Sequence, residues 1–129
     1  MKLSLNRAVM IFIMMTALAA CGLFKPGPSQ VVKDFYHNVE AGKIEDAKKL
    51  FSAQVVQTFG SKMAAGLAVQ TGEMKKKGGI KSIDTQESVT GDLAKVNYTV
   101  TYGDNSVEKG ALDLIKENGD WKIQMSANK

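Results

Sequence analysis

The sequence predicts an α+β domain in which N-terminal helices pack on one face of a curved, four-stranded antiparallel sheet. Two observations lead to this class. Apolar residues recur at helical spacing between residues 29 and 77, and from residue 80 onward they alternate with polar residues, which is the period of a strand. Helices followed by a long-stranded meander form two layers around one core. A chain of 129 residues has the length of a single domain.

Three helices are expected before the sheet. Ser29 is a suitable N-cap for the first, which Gly42 ends. A short second helix follows over residues 44–51. A longer third helix covers residues 53–77, and its glycines weaken it by up to about 1 kcal/mol each relative to alanine, so a bend or break is expected near Gly60. The lysines at residues 75–77 face the negative pole of this helix, and a contact with anionic lipid head groups is their alternative role.

Four strands are expected at about residues 80–89, 93–102, 106–117 and 120–126. The second shows the clearest alternation, because one of its faces carries only apolar or aromatic residues: Ala94, Val96, Tyr98, Val100 and Tyr102. Trp121, Ile123 and Met125 repeat the pattern in the last strand. Asn118-Gly119 is a strong signal for a two-residue hairpin turn between the last two strands.

The first twenty residues do not resemble part of this domain. Lys2 and Arg7 precede a run of thirteen uncharged residues, 8–20, which has the length of the apolar segment of a signal peptide. The run is shorter than the roughly 18 to 20 residues that cross a bilayer as a helix. The pattern therefore predicts export, with residues 1–20 cleaved, a tether over residues 21–28 that contains both prolines, and a globular domain over residues 29–129.

The only cysteine of the chain follows directly on this run. The segment Leu18-Ala19-Ala20-Cys21 resembles the lipobox of bacterial lipoprotein signal peptides. The resemblance implies cleavage between Ala20 and Cys21, a diacylglyceryl group on the Cys21 thiol, and an acyl chain on the new amino terminus. Two or more such chains anchor a protein stably, whereas one holds it only marginally. Gly22 stands where an aspartate would resemble an inner-membrane retention signal, so the expected location is the periplasmic face of the outer membrane.

The charge of the exported part argues against nucleic-acid binding. Removal of residues 1–20 leaves 15 lysines, no arginine and 13 acidic residues. Nucleic-acid binders cluster arginine and lysine on one face beside a recognition motif, and no such motif is visible.

The helix and strand segments together resemble a known superfamily. The segment VVKDFYHNVEAGKIEDAKKLFS and the strand pairs IKSIDTQESVTGDLAKVNYTVTYGD and ALDLIKENGDWKI are similar to small bacterial lipoproteins of the nuclear transport factor two-like (cystatin-like) superfamily. The resemblance implies a cone-shaped fold over about residues 29–126. It implies no single function, because this fold carries enzymes, carriers and interaction modules.

Aromatic residues are the candidates for lining a pocket inside such a cone, and the alternative is that they fill the core. The predicted lining residues are Phe35, Tyr36, Phe59, Tyr98, Tyr102 and Trp121. Relatives of the ketosteroid isomerase type need a carboxylate base and acidic hydroxyls in a dry pocket. Here Asp113 is the candidate base, with Tyr36, Tyr98 or Tyr102, although alternation turns Asp113 away from its leucine neighbours and toward solvent.

No metal site or catalytic residue is predicted beyond these. His37, the only histidine, lies off the apolar stripe of the first helix and is expected on the surface. With no second histidine and the one cysteine used for lipid, a zinc site is not expected. The favoured function is a membrane-anchored, non-enzymatic envelope lipoprotein that binds an envelope protein or an apolar small molecule. A small isomerase-like enzyme is the alternative, and a structural role with a filled pocket is a third possibility.

Overall fold

The computed structural model describes residues 25–124. Within this range, three helices come first and a four-stranded sheet follows, so the predicted α+β class is confirmed. The helices are α1 (Pro28–Glu40), α2 (Ile44–Lys48) and α3 (Ala53–Lys76). The strands are β1 (Ile80–Thr90), β2 (Leu93–Tyr102), β3 (Val107–Glu117) and β4 (Asp120–Gln124).

The first helix begins earlier than predicted. Gly27 is its N-cap and Pro28 its first residue, so the prediction of Ser29 as the N-cap is wrong. Proline suits the first helical position because its φ angle is already helical and its missing N–H would have no intrahelical partner there. Ser29 lies inside the helix, where its backbone N–H donates to a carboxylate oxygen of Glu87 at 3.2 Å.

The third helix is continuous over 24 residues, so it is not broken at Gly60. Ser52 caps its start, because its buried Oγ accepts a hydrogen bond from the backbone N–H of Val55 at 3.3 Å. Gly78 and Gly79, with φ angles of 85° and 75°, end it in a backbone conformation that favours glycine. At 1.5 Å per residue, α3 is about 36 Å long.

The sheet is an antiparallel meander in the order β1-β2-β3-β4. The alternation predicted for β2 is confirmed: Ala94, Val96, Val100 and Tyr102 are buried on one face, here called the inner face. In the register, Tyr98 lies between Thr85 of β1 and Gly110 of β3. The predicted turn at Asn118-Gly119 is present, with positive φ angles at both residues, as a type I′ hairpin requires.

The core lies between α1, the inner face and the C-terminal part of α3. Its largest fully buried apolar side chains are Met74, Leu114, Ile123, Val32, Val39, Val96 and Val100. A hydrogen bond joins the two long helices inside it, because the buried Thr71 hydroxyl donates to the backbone carbonyl of Val39 at 2.6 Å. The helical layer therefore covers one face of the sheet around a single core.

The two ends of the domain are held by different contacts. At one end, the carboxylate of Glu117 accepts from the backbone N–H of Ala53 at 3.2 Å, and Lys25 lies 3.8 Å from Asp120. This end, with the β1–β2 and β3–β4 turns and the start of α3, is called the tether end. At the far end, the backbone N–H of Gly103 donates to the carbonyl of Gly79 at 2.8 Å. Strands of this length separate the two ends by about 35 Å.

Candidate functional site: an apolar groove beside α3

An apolar groove follows the first half of α3. Phe59 is 40% exposed there, although its position on the apolar stripe of α3 makes it a core candidate. The groove encloses about 390 Å³. Its lining is apolar except for one lysine, and consists of Phe51, Val55, Phe59, Lys62, Met63, Gly66 and Leu67. A concave apolar surface of this size is typical of a site for an apolar ligand or side chain.

The groove is open because of the way α3 packs. This helix contacts α1 and α2, and its buried residues are Val55 near the start and Leu67, Thr71 and Met74 in the second half. Between them, the apolar side of α3 is only partly covered, because Phe59 is exposed and Met63 is partly buried. Gly66 widens the groove, since no heavy atom lies within 4 Å of the position that a Cβ would take.

A second concavity of about 700 Å³ adjoins the groove at Phe51. It has a mixed character, with the partly exposed Val56 among charged side chains. Its ionic residues are Glu45, Lys48, Lys49, Glu117 and Lys122. Two of these lysines are paired with acids on α2: Lys48 with Glu45 at 3.6 Å and Lys49 with Asp46 at 3.8 Å.

The six predicted lining residues do not meet around one open pocket. Phe35, Tyr36 and Tyr102 are buried in the core, with exposures of 7%, 3% and 2%. Tyr98 and Trp121 are partly buried and pack against that core. Of the six, Phe59 lines the α3 groove and Tyr98 lines a separate cavity beside the sheet.

That separate cavity is polar and measures about 600 Å³. It lies by the middle of β1, β2 and β3, and Lys33 of α1 contributes to it. Gly110 shapes this region, because the Tyr98 hydroxyl lies only 2.5 Å from where a Cβ on Gly110 would be. Because glycine has no side chain, the Tyr98 ring can lie across β3 at Gly110.

A cluster of three tyrosines, two of them buried, contacts a carboxylate that is not among the predicted site residues. The Tyr102 hydroxyl donates to a carboxylate oxygen of Glu108 at 2.7 Å, and the Tyr36 and Tyr98 rings are 5.2 Å apart. Burial raises the pKa of the Tyr36 hydroxyl far above its ordinary value, and the Tyr98 hydroxyl adds to the effect. Burial, followed by the hydrogen bond to Glu108, raises the pKa of Tyr102. The hydroxyls of Tyr36 and Tyr102 therefore stay protonated well above neutral pH.

Asp113 lies away from this cluster. Its partner in the register is Lys95, which is on the opposite face of β2 from Tyr98, and the two side chains form a 4.0 Å ion pair. The structure therefore does not bring the predicted base together with Tyr36, Tyr98 or Tyr102. The acid that does contact a tyrosine is Glu108, and its place two residues before Gly110 on the same face of β3 is the sequence signal that could have identified it.

Of the remaining candidates, His37 lies among the described residues, and it lines none of the three concavities. His37 is exposed on α1, as its position on the helix predicts. Within residues 25–124, no three His, Cys, Asp or Glu side chains are grouped so that they could hold a metal ion. Ala20 and Cys21 lie outside the described residues. Among the helices that the structure describes, none is both long and apolar enough to span a bilayer.

Comparisons with known proteins agree with this fold. A family model for a domain of unknown function, DUF4878, matches residues 19–124. The chain belongs to the DUF4878 family. Among solved structures, it is similar to a Campylobacter jejuni protein named as a candidate NTF2-like transpeptidase, with a TM-score of 0.68 and 18% identity. The match covers 78% of this chain and all of that chain, and at this identity it shows the NTF2-like fold. No curated protein sequence matches significantly.

Proposed function

We propose that this DUF4878 protein is a lipid-anchored binding module of the bacterial cell envelope, held by acyl chains on Cys21, that takes an apolar group into the α3 groove. The observation that carries the binding role is the groove itself, which is apolar, open and adjacent to the core. Covering a large apolar side chain completely contributes about 1.5–3 kcal/mol, and Phe59 is 40% exposed, so a ligand on this residue has burial energy to gain.

The anchor is supported by the sequence before the domain. A charged start, a thirteen-residue apolar run and the segment ending in Cys21 agree with the lipoprotein pattern. A diacylglyceryl group and an amide-linked acyl chain hold such a protein stably on its membrane. Gly22, in place of an aspartate, favours the outer membrane, with the domain facing the periplasm.

An isomerase-like enzyme receives less support from the geometry. Asp113 is paired with Lys95 on the outer face of the sheet, away from the tyrosine hydroxyls. Glu108 does contact Tyr102, but Tyr102 is 2% exposed, so a substrate carbonyl has little access to that hydroxyl. Proton transfer next to a carbonyl requires base and hydroxyl donors that face one substrate.

A transpeptidase activity, which the name of the Campylobacter jejuni protein suggests for that protein, receives little support from the geometry of this chain. Acyl transfer needs a nucleophile with a base in hydrogen-bonding reach. Ser52, the buried serine beside the groove, has its Oγ occupied as the N-cap of α3, and His37 lies exposed on α1.

The binding role is tested with a filled groove. Gly66→Leu places a side chain into it, whereas Gly72→Leu adds the same side chain to the same helix at a position that does not line the groove. Neither glycine has a heavy atom within 4 Å of its Cβ position, so both variants are expected to fold. The probe is the apolar fluorophore N-phenyl-1-naphthylamine. Its fluorescence enhancement should be lost in Gly66→Leu and kept in Gly72→Leu, and equal binding to the two variants would contradict the proposal.

The anchor is tested by fractionation of cells that express the full chain. The unaltered protein should sediment with the membranes and carry covalently bound lipid. The Cys21→Ala variant should carry no covalently bound lipid. An equal lipid content in the two proteins would contradict the role of Cys21.

A further inference from the structure

The position at which the chain enters the domain restricts how an anchored molecule can face its membrane. Lys25 lies at the tether end, 3.8 Å from Asp120. Cys21 is four residues earlier, and four residues span at most about 14 Å. If Cys21 carries the lipid, as proposed above, the tether end stays next to the bilayer.

Exposed apolar side chains are concentrated at this same end. Among residues 25–124, six large hydrophobic residues are at least 36% exposed: Val56, Phe59, Val69, Val89, Leu93 and Val107. Four of the six lie at the tether end, since Val56 and Phe59 are in the first two turns of α3, and Val89 and Leu93 flank the β1–β2 turn. Side chains on two elements at the same end of a domain can contact one flat partner together, and exposed apolar side chains favour such a contact.

The charges near this surface are largely balanced. Lys48 and Lys49 pair with Glu45 and Asp46, and Lys25 with Asp120. A contact made here is therefore apolar in character and only weakly sensitive to salt. The lysines at residues 75–77 lie at the far end, beyond the reach of a four-residue tether.

We propose that the surface formed by Val56, Phe59, Val89 and Leu93 docks on the phospholipid bilayer that holds the Cys21 lipid. The domain then stands with its strands directed away from the membrane and its far end in the aqueous space. The α3 groove shares Phe59 with this surface, so its apolar lining continues the docking surface. This inference rests on the proposed anchor.

The test uses the full lipid-modified chain in vesicles made of equal parts phosphatidylethanolamine and phosphatidylglycerol. Because Cys21 is the only cysteine and its thiol carries lipid in the proposed molecule, an added cysteine is the single free thiol for a polarity-sensitive fluorophore. Leu93→Cys and Val107→Cys are a matched pair, since the native residues are 55% and 53% exposed at opposite ends of the sheet. Spin-labelled lipids in the vesicles serve as quenchers.

The label at position 93 should shift to the blue and be quenched by the spin-labelled lipids, and the label at position 107 should do neither. A label from Phe59→Cys should behave like the one at position 93. Equal quenching at positions 93 and 107, with the protein floating with the vesicles, would overturn the docking surface and leave the anchor intact. Protein that does not float with vesicles would overturn both.

Two other occupants would also contradict the proposal, and each has its own signature. A second copy of the chain would give a blue shift without vesicles that disappears on dilution. The apolar segment Leu23-Phe24 of the same chain would give a shift without vesicles that does not depend on protein concentration.

Discussion

Gly110→Ala tests whether the missing side chain on β3 is what allows Tyr98 to lie across the sheet. The added Cβ would be 2.5 Å from the Tyr98 hydroxyl oxygen and 2.7 Å from its Cζ, so the ring must move. The ring packs against Tyr36 at 5.2 Å and cannot move without disturbing that contact. The backbone at Gly110 does not have a positive φ, so alanine is acceptable there apart from this clash.

The expected cost follows from two opposing effects. Overpacking a well-packed site costs about 1–3 kcal/mol. Replacing glycine by alanine returns about 0.4–1 kcal/mol, because the unfolded chain loses conformational freedom. The free energy of unfolding should therefore fall by about 1–2 kcal/mol, measured by urea denaturation at neutral pH.

A double-mutant cycle with Tyr98→Leu separates the clash with Tyr98 from the effect of Gly110→Ala on the unfolded chain. Leucine lacks the two atoms that clash, so in this background Gly110→Ala should stabilise the protein by about 0.4–1 kcal/mol. The sign of the effect reverses between the two backgrounds. The same loss of stability with and without Tyr98 would refute the account of Gly110.

Three further predictions concern unfolding experiments. Gly66→Ala and Gly72→Ala should each raise the free energy of unfolding by up to about 1 kcal/mol, measured by urea denaturation. Both glycines are in α3, and no heavy atom lies within 4 Å of the position that the added Cβ would take. A lower free energy of unfolding in either variant would contradict the open space beside these glycines. Gly103→Ala should instead lower the melting temperature, because the added Cβ would be 2.6 Å from the backbone oxygen of Gly78. An unchanged melting temperature would contradict the close approach of the backbone at Gly103 to the backbone at Gly78. Above pH 10, the unfolded chain releases the Tyr36 and Tyr102 protons while the folded protein keeps them, so stability present below pH 10 should decrease by about 1.4 kcal/mol per pH unit for each of the two tyrosines. Tyr36→Phe should lower this slope by about 1.4 kcal/mol per pH unit, and an unchanged slope would contradict the burial of the Tyr36 hydroxyl.

The sheet could be predicted from the sequence because its signals are local. The alternation through Val96 and Val100 assigns the inner face of β2, and Asn118-Gly119 fixes the last turn through its backbone preferences. The predicted N-cap of α1, Ser29, lies two residues after the observed N-cap, Gly27. A capping serine and a proline at the first helical position compete there, and the proline at residue 28 determined the outcome.

The groove could not be predicted, because periodicity shows which side of a helix is apolar but not what covers it. Phe59 lies on the apolar stripe of α3 together with Met63 and Leu67, yet 40% of it is exposed, since α3 packs against α1 and α2 rather than against the sheet. Glu108 was missed for a different reason. Its sequence neighbours do not show which tyrosine it meets, because the register of β3 is what places Glu108 on the inner face near Tyr102.

The most direct test of the account is the intact mass of the native protein purified from the membranes of its own cells. The account predicts a chain that starts at Cys21 and carries a diacylglyceryl group on the thiol, with an acyl chain on the amino terminus. A chain that starts at any other residue, or that has an unmodified Cys21, would contradict the anchor and the membrane orientation that depends on it.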